Sequence, residues 1–156
     1  MSNAEVFLHL QNCFDDLDDA RNVLRAVKDL DSGLNLVRDA AFKYAVVAYC
    51  RTYTAAEGKK GTPRRKLLDT HYVPEGFGEL HAELLDCRHE MYAHSDRRIL
   101  DAKISVHEFG EKKVPFRIQN VVYPLELMSK IDEIIELTEL TMDKIINDSE
   151  LLKEKL

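Results

Sequence analysis

The sequence predicts an all-α protein: one bundle of four to five helices with a small β-hairpin inserted before the last helix. Three observations lead there. Apolar residues recur at three- and four-residue steps over four long segments, the mark of amphipathic helices. One stretch, about residues 99–121, changes to a period of two. Only 6 Gly and 4 Pro occur in 156 residues, too few for a disordered or fibrous chain. A chain of this length makes one domain, 1–156, with a core large enough to need no disulfide framework or structural metal.

The elements follow in order. Residues 5–30 read as a helix whose apolar stripe is Val6, Leu10, Cys13, Leu17, Ala20, Leu24 and Val27; Asp31-Ser32-Gly33 ends it, with Gly33 as the cap. Ser2-Asn3-Ala4, ahead of it, carries no functional weight. Residues 34–56 read as a second helix, apolar on most sides and therefore central, since Ala40 to Cys50 contains Lys43 as its one charge. Glu57 to Gly76 is irregular, punctuated by Gly58, Gly61, Pro63, Pro74 and Gly76, with a helical turn expected from Arg64 to Asp69. Phe77 to about Ser95 is a third helix, with Leu80, Leu84, Cys87 and Met91 as its stripe. Leu100, Ala102, Ile104 and Val106 alternate with polar residues, as do Val114, Phe116 and Ile118; Phe109 to Lys112 supplies the turn between two strands, and Pro115 suits an edge. Pro124 fits the first turn of a last helix running to about residue 147, buried along Leu127, Ile131, Ile134 or Ile135, Thr138, Thr141 or Met142, and Ile145.

Several classes are excluded. No run reaches the ~18–20 apolar residues of a membrane span, so no membrane role is expected. No secretory signal is visible. The three cysteines are odd in number and far apart, as reduced thiols of a cytoplasmic protein would be. Phosphate-loop, dinucleotide-binding, nucleophile-elbow and zinc-protease signatures are all missing.

The chemistry-bearing segment is Cys87-Arg88-His89-Glu90-Met91-Tyr92-Ala93-His94-Ser95-Asp96. Arg88 and His94 are about 9 Å apart along a helix axis and about 120° apart around it. One chain does not easily bring them to one atom, but two copies about a two-fold axis offer two of each to one cleft. A guanidinium grips phosphate bidentately and an imidazole moves protons near neutral pH. The pair suits metal-free RNA cleavage. His94 acts as base on the ribose 2′-hydroxyl or as acid on the leaving oxygen, and Arg88 stabilises the charge that develops on the phosphoryl group. The competing reading makes His94-Ser95-Asp96 a helix stop and Arg88 an ion-pair partner. A metal site from Cys87, His89, His94, His81 and His71 is disfavoured, because Cys87 and His89 point about 160° apart on a helix.

The segment resembles the signature of the HEPN superfamily (higher eukaryote and prokaryote nucleotide-binding domains): an arginine, a polar residue, then a histidine after four to six intervening residues. The ending Tyr92-Ala93-His94-Ser95-Asp96 is similar to that of an abortive-infection-associated subgroup, as is Ala48-Tyr49-Cys50-Arg51-Thr52-Tyr53. The likeness covers roughly residues 5–147. It implies a HEPN-like helical bundle, usually a homodimer with the motif helices meeting at the interface. It also implies a metal-independent endoribonuclease of toxin–antitoxin or phage-defence systems, needing no cofactor. Arg88 and His94 are then the catalytic pair. His89, Tyr92 and Asp96 support them, His89 standing where the family more often has asparagine or aspartate. Arg51, Lys59, Lys60, Arg64 and Arg65 are candidates to hold RNA or a nucleotide. The alternative within the same fold is a non-catalytic module that binds a nucleotide, an antitoxin or a nucleotidyltransferase-like partner.

The net charge of −6 counts against extended duplex binding. Its distribution is uneven. Residues 1–33 carry seven acids and three bases, and residues 126–156 nine acids and four bases, whereas residues 57–66 carry five bases and one acid. A short RNA segment in a small basic cleft stays compatible with that pattern.

Overall fold

The computed structural model describes residues 2–30, 35–54, 67–92, 100–109, 112–121 and 125–156. Five α-helices and one hairpin follow in chain order: α1 (Asn3–Asp29), α2 (Asn35–Arg51), a 3-10 turn at Thr70–Tyr72, α3 (Gly78–Tyr92), β1 (Leu100–Phe109), β2 (Lys112–Val121), α4 (Leu125–Ser129) and α5 (Ile131–Lys153). The bundle with a hairpin before the last helix is the architecture the periodicities predict. Gly33, residues 57–66 and Pro124, which the sequence reading assigns to a cap, a basic loop and a helix start, lie outside the described residues.

The buried face of α1 is the predicted stripe from Leu10 to Val27. Ser2 caps this helix: its Oγ accepts from the Glu5 backbone N–H, and the Glu5 carboxylate accepts from the Ser2 N–H. That reciprocal box gives the unweighted first residues a structural purpose. α5 runs antiparallel to α1. Asn3 bonds the Lys155 carbonyl, Gln11 meets Ser149, Arg25 pairs with Glu139 and Lys28 with Asp132, so rising numbers on one helix meet falling numbers on the other. α2 also packs on α1, and α3 packs on α2.

Three boundaries differ from expectation. α2 stops at Arg51 rather than running to residue 56. The Thr52 hydroxyl donates to the Tyr49 carbonyl and the Thr54 hydroxyl to the Cys50 carbonyl, so hydroxyls take carbonyls at the helix end and the chain turns. Leu67 to Asp69 is not helical. Instead, Asp69 caps the following 3-10 turn by accepting from the His71 N–H. The last helix is divided. α4 ends at Ser129, and Lys130 takes φ −92°, ψ 18° before α5 begins. α5 then continues to Lys153, so the polar tail is helical. Gly76 precedes α3 with φ +86°, in a turn closed by the Phe77 N–H on the Pro74 carbonyl. That position favours glycine.

α2 is less uniformly buried than its composition suggests. Phe42, Ala45, Val46, Ala48, Tyr49 and Cys50 are buried, but Leu36, Val37 and Tyr44 are exposed. The core gathers Leu17, Leu24, Phe42, Leu84, Leu137 and Ile145 from four helices. Leu137 is fully buried there. Leu137→Ala is expected to cost about 2–5 kcal/mol, read as a lower urea midpoint at unchanged slope.

Candidate functional site

α3 is fastened to the C-terminal half of α2, and the register of that contact places the motif. The Tyr49 hydroxyl is hydrogen-bonded to His81 Nδ1 at 2.8 Å. The Tyr53 ring meets the His81 ring edge-on at 4.5 Å. The Cys50 thiol donates to the Leu84 carbonyl at 3.4 Å. His81, Leu84 and Arg88 follow each other at three- and four-residue steps and share one helical face. Arg88 therefore reaches the same seam one turn beyond Leu84, and it is half-buried there.

The electrostatics agree with that placement. Burial pushes the Cys50 thiol up to about 12, while the Arg88 charge pulls it the other way. A thiol so placed feels the guanidinium and stays protonated. Burial likewise raises Tyr49 and pushes Tyr53 up to about 12, and it lowers His81 below its ordinary value of 6.5. The cluster is neutral around pH 7, as a hydrogen-bonded buried group without a counter-charge must be.

The remaining predicted residues divide into three groups. His89 is exposed near the end of α3, beside Arg88. Tyr92 is the last residue of α3. Arg51 closes α2 on its other side. Its guanidinium lies 3.7 Å from the Asp16 carboxylate of α1 and 5.6 Å from the centre of the Tyr44 ring. The structure thus brings Arg88 to the α2–α3 seam and Arg51 to the α1–α2 side. His94, Asp96, Lys59, Lys60, Arg64 and Arg65 lie outside the described residues.

The candidate metal ligands are dispersed where they are described. Cys87 and His81 are buried and His89 is exposed. His71 is paired with Asp69 at 3.2 Å and rests on the Tyr72 ring. Among the described residues no three His, Cys, Asp or Glu side chains gather as a metal would require. No helix among them is long and apolar enough to cross a membrane.

Sequence reasoning missed the Tyr49–Tyr53–His81 cluster. Its signal was present: the tyrosines are four apart, and His81 is three residues from Leu84. It also missed the clamp on the 3-10 turn. There the Tyr72 hydroxyl donates to Asp148 at 2.6 Å, and Lys144 donates to the carbonyls of His71 and Val73 at 3.2 Å. No period links residues so distant in sequence.

No family model matches the chain, and no curated protein or solved structure matches it.

Two outcomes follow for the seam. Cys13, Cys50 and Cys87 are all buried, and none is in a disulfide. Native protein should therefore show no fast-reacting thiol toward Ellman's reagent, and denatured protein three. The second outcome concerns pH. The unfolded chain takes up a proton on His81 near its ordinary value of 6.5, whereas the folded chain resists it down to a lower pH. Stability from this group is complete above that value and is lost as pH falls below it. The urea midpoint should drop between pH 7.5 and 5.5, and His81→Gln should drop less over the same interval.

Proposed function

We propose that this chain is a metal-independent endoribonuclease of the HEPN type, acting as a homodimer in a toxin–antitoxin or phage-defence setting. The observation that carries the reading is the position of Arg88. It lies on the α2-facing side of α3, beside Cys50, with its backbone in the last part of that helix. A half-buried guanidinium on a packed helix loses little freedom when it engages a phosphate. His94 follows six residues later, the spacing at which two copies share one cleft.

In the proposed reaction a His94 imidazole removes the proton from the ribose 2′-hydroxyl. The 2′-oxygen attacks phosphorus and the bond to the 5′-oxygen breaks. A protonated imidazole, from the second copy's His94, supplies the proton to the leaving 5′-oxygen. Arg88 holds the non-bridging oxygens and stabilises their charge in the transition state. The products are a 2′,3′-cyclic phosphate and a 5′-hydroxyl. His89, Tyr92 and Asp96 border the pair. Lys59, Lys60, Arg64 and Arg65 supply the local positive charge that the acidic terminal helices lack.

The test uses wild type, Arg88→Ala and His94→Ala on single-stranded and structured RNA with EDTA present. Wild type should cleave and leave cyclic phosphate ends. Each variant should be slower by at least about 100-fold at unchanged helix content. Cleavage that survives both substitutions sinks the reading, and so does a wild type that cleaves no RNA.

A further inference from the structure

The helices of the bundle are not held to each other equally. Among the described residues α1 packs extensively on both α2 and α5, and α3 packs less extensively on α2. The chemistry of the contacts differs too. Arg25–Glu139 and Lys28–Asp132 join α1 to α5, and carboxylates ordinarily keep their charge down to about pH 4. α3 instead meets the end of α2 through a histidine. His81 is 7% exposed. Its Nδ1 is hydrogen-bonded to the Tyr49 hydroxyl at 2.8 Å, and its ring lies edge-on to the Tyr49 and Tyr53 rings at 5.9 and 4.5 Å.

The groups around His81 offer a proton no counter-charge. From α2 and the residues just after it come Tyr49 and Tyr53, with the Cys50 thiol beside them on the Leu84 carbonyl and Thr141 of α5 at Tyr53. Burial raises both phenols and the thiol, so all three are neutral at pH 7 and below. On α3 itself the positions one turn from His81 are Phe77, Gly78, Leu84 and Leu85. The acids Glu79, Glu83 and Asp86 are exposed on that helix, and Glu83 is paired with Lys130. Burial lowers His81 below its ordinary 6.5.

A proton on His81 therefore puts a cation between two phenol rings and leucine side chains. The Tyr49 hydroxyl can turn to accept from the imidazolium, but no carboxylate neutralises it. Such a charge is better solvated by water, and water reaches it when α3 moves off α2.

We propose that the α2–α3 seam is an acid-opened latch: protonation of His81 parts α3 from the end of α2 while α1 and α5 stay paired. Opening bares the two thiols that border the seam, Cys50 on α2 and Cys87 one turn beyond Leu84 on α3, both buried in the closed form. Cys13 lies on α1, which packs chiefly on α2 and α5, and stays covered. Arg88 loses its place at the seam as well. The latch does not rest on the nuclease reading, because its test contains no RNA.

The test is pulsed thiol labelling of the full chain with 4,4′-dithiodipyridine, which reacts in acid as well as near neutrality. Each cysteine is read by peptide mass spectrometry, and each rate is taken relative to the urea-unfolded chain at the same pH. Wild type should label slowly at all three cysteines at pH 7.5. Below pH 6.5 labelling of Cys50 and Cys87 should rise by up to about 10-fold per pH unit, the limit for one proton, while Cys13 stays slow. His81→Gln keeps a neutral hydrogen-bonding side chain and should label alike at pH 7.5 and 5.5. Tyr49→Phe keeps the imidazole and should retain the rise. Should His81→Gln lose helix content, the His81 ring resonances of wild type decide instead, and they must titrate where labelling rises. A wild type whose labelling ignores pH, a rise that includes Cys13 equally, a rise that survives His81→Gln, or a His81 titration that does not coincide with it overturns the proposal.

Discussion

The seam between α2 and α3 is the contact on which the candidate site depends. Tyr49, Cys50 and Tyr53 meet His81 and Leu84 there, and Arg88 extends the same face by one turn. Tyrosine and histidine in such a place gain a large buried area and a mutual hydrogen bond, and they carry no charge that water would have to solvate. Whatever fixes this seam fixes where the Arg88 guanidinium stands. The clamp at the 3-10 turn works on the same connection from the other side. Tyr72 and Lys144 tie the chain just before α3 to α5, and Lys130 at the start of α5 pairs with Glu83 of α3.

Charge is arranged around this frame rather than within it. Arg25 and Lys28 of α1 meet Glu139 and Asp132 of α5 across the two acidic terminal helices. These pairs are exposed, so each contributes little to stability. Their larger consequence is alignment, since they suit only the antiparallel arrangement. Arg51 is drawn to Asp16 in the same manner.

The hairpin obeys a different constraint. The two strands pair antiparallel from Leu100 opposite Val121 to Phe109 opposite Lys112. The residues alternate in both strands, but alternation does not say which residues stand opposite each other; the pairing does.

Much of the fold was legible in the sequence because amphipathic periodicity reports directly on which side of a helix is buried. The stripe of α1 from Leu10 to Val27 and that of α5 from Ile131 to Ile145 are examples. The motif around Arg88 was legible as a pattern of residue types at a helical spacing. Three things were decided only by tertiary structure. Thr52 and Thr54 end α2 by bonding its last carbonyls, a local competition that composition does not resolve. His81 is buried because Tyr49 of α2 and Tyr53 just beyond it come to it from another part of the chain. Arg51 faces α1 and Arg88 faces α2, although both are basic residues near helix ends. Periodicity is a property of one segment, whereas partners such as Tyr49 and His81 are chosen by how the segments pack.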